Sequence, residues 1–222
     1  MQSGWKFLRM GGAAVVIGIL AFSPARAAAP SRESSPPSKS PIVYRYVVSQ
    51  KRSRISLTFR GPLAVPYDAH FTVLKGELFL GSGGSFKGAN GHIAIKSASL
   101  KSKKAEQQKM LLRNVLEASA YPDIELRVSS IKATGVPASR EQRKREKDWR
   151  LTARGVLKLH GVEREIPLSF SMADTGTDLY IRGTGRLELS DFDMSRPTLL
   201  LLMPGSGDVV VRVRLVASPG VR

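Results

Sequence analysis

Residues 209–215 read VVVRVRL, so that Val211, Val213 and Leu215 alternate with Arg212 and Arg214. A period of two places the apolar side chains on one face of a β-strand and the arginines on the other. A strand of this kind is typical of an antiparallel sheet with one buried face and one face in water. We therefore predict antiparallel β-structure near the C-terminal end of the chain.

The same alternation recurs along the chain from residue 43 onward. It predicts further strands at 54–59, 92–96, 124–128, 151–159, 166–172, 179–181 and 187–189. Glycine-rich and aspartate-containing segments predict turns between strands, at 81–84, 88–91, 174–176 and 205–208.

One segment, residues 104–119, departs from this period and predicts an amphipathic helix. Its apolar and small positions recur at helical spacing: Leu112, Val115, Leu116 and Ser119. The helix must end before Pro122, because the residue that precedes a proline disfavours the helical region. Many alternating strands and a single helix predict an all-β fold, a closed barrel or a sandwich. A barrel leaves no sheet edge exposed, and we expect an antiparallel barrel of about eight strands.

The N-terminal 27 residues have the three-part pattern of a secretory signal peptide. Lys6 and Arg9 precede an apolar run at 10–22, and Ala25-Arg26-Ala27 forms a small-x-small cleavage site. The apolar run is shorter than the roughly 20 residues that a membrane-spanning helix needs. We expect cleavage near Ala27 and a periplasmic or secreted protein, with an uncleaved signal anchor as the alternative.

Three regions follow from this pattern and from composition. Residues 1–27 are the predicted signal peptide, 28–41 a flexible leader rich in Ser and Pro, and 42–218 the β-barrel domain. The 222-residue chain has no cysteine, which excludes disulfides, thiolate metal sites and thiol catalysis. With only three histidines, a His-rich metal site is not expected.

The chain is strongly basic, with 35 Lys+Arg against 18 Asp+Glu. Loss of residues 1–27 would leave 32 basic and 18 acidic residues, a net charge of +14. The polar face of the predicted strands carries much of this charge: Arg127, Arg154, Lys158, Arg182, Arg186, Arg212 and Arg214. An anionic membrane surface is a possible partner, and simple solubility is the alternative. Nucleic acid is not expected, because most aromatic side chains fall on the apolar face rather than outside.

Two further segments have a chemical and a structural interpretation. The mixed-charge stretch 140–150 is expected in a long hairpin connection, as a solvated loop. His160, with Ser190, Asp191 and Asp193, gives a hydrolase hypothesis, but the sequence has no nucleophile-elbow motif. The alternative is a histidine in a tight turn that hydrogen-bonds backbone. We predict neither catalytic nor metal-binding residues.

Several motifs resemble those of the YceI-like family across residues 44–217. They are Leu159-His160-Gly161-Val162 between two strands, Ser190-Asp191-Phe192, Gly207-Asp208-Val209, Tyr121-Pro122-Asp123-Ile124, and Phe71 with Gly76 in an F-x4-G spacing. The family's opening D-P-x-H-S is replaced here by residues 49–53, which read SQKRS. The resemblance implies an extended, lipocalin-like barrel that binds a polyisoprenoid or another long-chain lipid, such as an isoprenoid quinone. It implies no catalysis and no other cofactor, and it makes a homodimer possible.

Inward-facing positions of the strands are the candidates for the lipid site, with plain hydrophobic core as the alternative for each. They are Phe59, Phe71, Ile95, Leu126, Leu157, Phe170 and Val211. From the predicted helix, Leu112 and Leu116 are expected to line or cap the mouth. Arg113 is a candidate for contact with a polar headgroup, or else lies on a solvated helix face.

Overall fold

The computed structural model describes residues 44–60, 66–135, 147–196, 198–199, 203–204 and 207–220. The predicted signal peptide and leader lie outside the described residues, as do positions 140–146 of the basic segment. Position 205–206 of the last predicted turn lies outside them as well. The remaining positions of the basic segment, 147–150, belong to a strand rather than to the predicted loop.

The described chain consists mainly of antiparallel strands. They are β1 (Tyr44–Val48), β2 (Arg54–Arg60), β3 (Pro66–Phe71), β4 (Leu74–Gly81), β5 (Ser85–Lys96), β6 (Leu100–Ser102), β7 (Asp123–Gly135), β8 (Lys147–Leu159), β9 (Val162–Asp174), β10 (Leu179–Glu188), β11 (Thr198–Leu199), β12 (Met203–Pro204) and β13 (Asp208–Pro219). The helix α1 spans Ala105–Met110 and continues into a wider turn at Leu111–Val115. Short 3₁₀ turns lie at Gln50–Arg52, Ser82–Gly84, Ser97–Ser99 and Leu189–Phe192.

Eight of the described strands form a closed ring, in the order β1-β4-β5-β7-β8-β9-β10-β13, and β13 pairs back onto β1. The closure joins Tyr46 to Pro219 and Val48 to Ala217. β2 lies beside β1 along the same edge of β13, with Phe59 opposite Val209, and β3 and β6 extend the sheet from there. The predicted closed antiparallel barrel of about eight strands is therefore confirmed.

The alternation seen in the sequence decides which side chains fill the interior. On β13, Val209 and Leu215 are buried while Arg212 and Arg214 are exposed. All seven basic residues predicted on the outer face are exposed: Arg127, Arg154, Lys158, Arg182, Arg186, Arg212 and Arg214. The inner face of the barrel is apolar and its outer face is cationic.

The helix is shorter than predicted and has a different inward face. Its last turn is widened to a π-helical turn. The Leu116 amide donates to the Leu111 carbonyl, five residues back, at 2.8 Å, whereas a regular α-helix pairs residues four apart. The wide turn brings Leu111, Val115 and Leu116 into the core and leaves Leu112 half-buried. No helix in the described part of the chain is long and apolar enough to cross a membrane.

The turn predicted at 88–91 is wrong, because β5 runs through it. Gly88 has φ +73° and the pairing of β4 with β5 shifts register between Phe79 and Gly81. Ala89 remains buried at this point. The glycines therefore serve an irregularity within a long strand rather than a chain reversal.

Candidate lipid-binding site

The barrel encloses a cavity of about 630 Å³ whose walls are mainly apolar side chains. Inward-facing residues of most ring strands and of β2 contribute to these walls. This volume lies within the range of about 300–1,000 Å³ that is typical of sites for small molecules. Among the residues described, no group of three or more His, Asp or Glu side chains is placed to hold a metal ion.

Eight of the ten candidate residues from the sequence line this one cavity. They are Phe59, Phe71, Ile95, Leu116, Leu126, Leu157, Phe170 and Val211. The other two do not line it: Leu112 packs half-buried against the core, and Arg113 is exposed on the helix. The widened turn explains both positions, since it directs Leu111 and Leu116 inward.

Other lining residues were missed by the sequence analysis. Leu78 and Leu80 on β4 alternate with polar or half-buried neighbours, and a closer reading of the period at 74–80 would have found them. Phe192 and Met194 belong to the turn after β10, where no period exists to mark them.

The cavity has a lateral opening between β9 and β10. These strands pair only from Leu179 opposite Asp174 to Gly183 opposite Phe170. Beyond Gly183, β10 pairs with β13 alone, and residues 162–169 of β9 pair with β8 alone. The two facing segments that do not pair with each other both line the cavity, and they do so with consecutive residues, 164–169 on β9 and 183–189 from β10 onward. Because successive side chains point to opposite faces, consecutive lining residues mean that the cavity reaches around each strand edge.

The sequence of these two segments favours their separation. Pro167 has no N–H to offer a neighbouring strand, which suits a strand edge. Gly185 lies opposite Val211 on the inward face, and a Cβ there would meet no atom within 4 Å. At the end of this opening, the Arg164 Nε donates to the Asp191 carbonyl at 2.9 Å. We name the gap between residues 164–169 and 183–188 the lateral cleft.

A pair of carboxyl groups lies where β10 reaches the cavity rim. Glu188 lines the cavity and is directly opposite Asp208 on β13. Burial, followed by a hydrogen bond with the Asp208 carboxyl, raises the pKa of Glu188 above its ordinary value of 4.5. The folded protein therefore holds the Glu188 proton more tightly than the unfolded chain does.

This raised pKa predicts a pH dependence of stability. The contribution of Glu188 is fully present below about pH 4.5 and is lost as pH rises through its raised folded-state pKa. Glu188→Gln keeps a neutral side chain at every pH, whereas wild-type Glu188 becomes charged and loses its contribution as pH rises. The Tm of the variant minus the Tm of the wild type should therefore increase from acidic to neutral pH. Differential scanning fluorimetry across this range measures the difference, and a Tm difference that does not change with pH would contradict the assignment.

His160 lies in the two-residue turn between β8 and β9, outside the cavity lining. His160 and Gly161 both have positive φ, +54° and +81°, which is typical of a type I′ hairpin. The buried His160 ring places Nδ1 3.2 Å from the Phe192 carbonyl and Nε2 3.5 Å from the Glu117 carboxylate. It also packs on Tyr121, with ring centroids 4.0 Å apart. The turn interpretation of His160 agrees with these contacts, which link the turn to the segment after β10.

His160→Ala should destabilise the fold, because it removes a buried polar contact and places alanine at a left-handed φ. The expected cost is about 1–3 kcal/mol in the free energy of unfolding. His160→Asn is the matched control, since asparagine tolerates this backbone and precedes glycine in many such turns. Urea denaturation of both variants separates the ring contacts from the turn geometry. Wild-type stability in both would show that the ring contacts are unimportant.

Comparisons with known proteins agree with this architecture. A family model described as the YceI-like domain matches residues 46–217. No curated protein matches the chain significantly. A polyisoprenoid binding domain from Saccharophagus degradans, implicated in plant cell wall breakdown, is similar in structure, with a TM-score of 0.61 at 15% identity over 79% of this chain and 98% of that one.

Two other bacterial proteins have the same fold. BcnA from Burkholderia cenocepacia has a TM-score of 0.60 at 16% identity, over 77% of this chain and 99% of its own. The YCEI protein of Campylobacter jejuni has a TM-score of 0.53 at 15% identity, over 69% and 85%. Since the family model covers most of the sequence and the barrel is that of these proteins, the chain belongs to the YceI-like family.

Proposed function

We propose that this protein binds a long-chain lipid, a polyisoprenoid or an isoprenoid quinone, inside its barrel for transport, storage or sequestration. The observation that carries the proposal is the hollow, apolar cavity of about 630 Å³. An apolar chain in this cavity gains the free energy of leaving water, about 0.8 kcal/mol per buried carbon group. The similar domain from S. degradans is a polyisoprenoid binding domain, which supports this class of ligand.

The volume limits how much of such a chain is enclosed. If each carbon group takes about 30 Å³, the share of one water molecule in the liquid, the cavity holds about 20 groups. At about 0.3 kcal/mol per atom these would contribute roughly 6 kcal/mol, and more where each group is fully buried. A longer chain would extend through the lateral cleft, where Ile166, Leu168 and Leu187 line the cavity.

The proposal includes binding without catalysis. His160 lies outside the cavity lining, and its ring contacts the Phe192 carbonyl, the Glu117 carboxylate and the Tyr121 ring rather than the carboxyl group of Asp191 or Asp193. A substrate in the lumen would not meet its ring. The hydrolase hypothesis therefore has no geometry in its favour.

Organic-solvent extraction and native mass spectrometry of freshly purified protein test the proposal. We expect one long-chain lipid per barrel, or stoichiometric uptake of an added isoprenoid quinone after gel filtration. The same native spectrum gives the number of subunits and so tests the possible homodimer. Absence of both endogenous lipid and quinone uptake would refute lipid binding.

Export is a separate part of the proposal and is supported by the pattern of residues 1–27. Expression of the full chain in a Gram-negative bacterium should yield a periplasmic protein that begins at or near Ala28. Intact-mass measurement of the periplasmic fraction checks the cleavage position. A full-length cytoplasmic product would contradict export.

A further inference from the structure

The outer wall of the barrel next to the lateral cleft carries a cluster of arginines. Arg150, Arg182, Arg212 and Arg214 border one shallow groove of about 520 Å³ on β8, β9, β10 and β13. We name these four residues the arginine groove. The strand register places Arg150, Ser171, Arg182 and Arg214 in one row across four strands. Strand spacing makes this row about 14 Å long.

The charges of the arginine groove are not balanced within the described part of the chain. Arg182 and Arg214 are directly opposite each other, and like charges in that position are destabilising. The Arg212 guanidinium donates to the Thr58 hydroxyl at 3.0 Å, and that hydroxyl donates to the Asp68 carboxylate at 2.7 Å, so Arg212 reaches an acidic group only through Thr58. None of the four arginines forms an ion pair with a described acidic residue, whereas Arg45, Arg52, Arg127 and Arg154 elsewhere on the barrel do. The groove thus concentrates positive charge that an external anion would neutralise.

The arginine groove and the lumen meet at the lateral cleft. Ser169, Phe170, Gly183 and Thr184 line both the groove and the cavity. An anionic surface held by the groove would therefore lie against the opening through which an apolar chain can pass. Stacked nucleic-acid bases are a poor match, because Phe170 is the only aromatic residue among those that border the groove and it is half-buried.

We propose that the arginine groove docks the barrel on a bilayer rich in anionic phospholipid, with the lateral cleft facing the lipid. This inference rests on the proposed function, since only a lipid-holding lumen gives the cleft something to exchange. A basic residue at such a surface strengthens binding by about fivefold, so four of them are sufficient for reversible attachment. Attachment should weaken as salt is added, because the charges remain partly in water.

Vesicle co-sedimentation of the purified protein tests the docking face. The vesicles are phosphatidylcholine alone, or phosphatidylcholine mixed with phosphatidylglycerol. We expect salt-sensitive binding to the mixed vesicles only, and about 30-fold weaker binding for Arg182→Gln/Arg214→Gln. Lys103→Gln/Lys104→Gln removes the same charge from exposed residues outside the groove and should bind as wild type.

Three results would overturn the proposal. They are undiminished vesicle binding by the arginine variant, an equal loss in the lysine control, and equally tight binding to a soluble polyanion such as heparin. Quinone uptake from ethanol, without vesicles, is measured on the same proteins and should be unchanged in the arginine variant. If the proposed lipid-binding function is wrong, none of these proteins will take up quinone. Vesicle co-sedimentation would still show whether the arginine groove binds an anionic bilayer.

Discussion

Gly185→Phe should sharply weaken the uptake of an isoprenoid quinone while leaving the barrel folded. Gly185 lines the cavity opposite Val211, is exposed at the lateral cleft, and a side chain there would enter open space. Its φ lies outside the left-handed region, so phenylalanine fits the backbone without strain. The benzyl group would occupy the cavity beside the lateral cleft and exclude an alkyl chain. We expect affinity to fall at least about tenfold, or about 1.4 kcal/mol.

Gly135→Phe is the matched control for this variant. Gly135 ends β7, is exposed, lines neither the cavity nor the arginine groove, and has open space around its Cβ. It should take up quinone as wild type does. Gel filtration followed by absorbance measures bound quinone, and circular dichroism confirms that both variants are folded. Wild-type uptake by Gly185→Phe would place the ligand elsewhere than in the lumen.

Leu111→Ala should be strongly destabilising, because Leu111 is fully buried where the helical segment meets the barrel. Truncation of a buried leucine costs about 2–5 kcal/mol, through lost burial and the cavity that remains. The neighbouring Leu112→Ala should cost about 1 kcal/mol or less, since Leu112 is only half-buried. Both variants replace leucine with alanine and so change helix propensity equally. The difference between their free energies of unfolding therefore measures the effect of burial.

Urea unfolding of the two variants also decides the register of the helix. The sequence spacing of Leu112, Val115 and Leu116 predicts that Leu112 faces inward, whereas the widened turn places Leu111 there. A larger loss for Leu112→Ala than for Leu111→Ala would favour the regular helix over the widened turn.

The strands were predictable because each buries one face, and a period of two records this directly in the sequence. Val211, Val213 and Leu215 identify the inward face of β13, and all three line the cavity. The order of the strands around the barrel was not predictable from these patterns. It depends on pairings such as Val48 with Ala217, which connect residues far apart in the chain.

The candidate site was predictable only where it coincides with strand periodicity. Phe59, Ile95 and Phe170 line the cavity because they occupy inward positions, and their prediction rests on the same positions. The predictions for Leu112 and Arg113 rest on regular helical geometry, which the widened turn disrupts. The volume of the lumen and the gap between β9 and β10 result from packing and pairing of separate strands, so no local pattern records them.

The position of β13 in the ring has a consequence for how the chain acquires its structure. Residues 208–219 hydrogen-bond to β10 on one side and to β1 and β2 on the other. The ring therefore cannot close until the last dozen residues of the domain have been synthesised. Closure then joins segments at opposite ends of the domain, and such long-range pairing is slow. Shortening the chain by one strand at its C-terminal end would leave a sheet with two open edges, a form prone to aggregate.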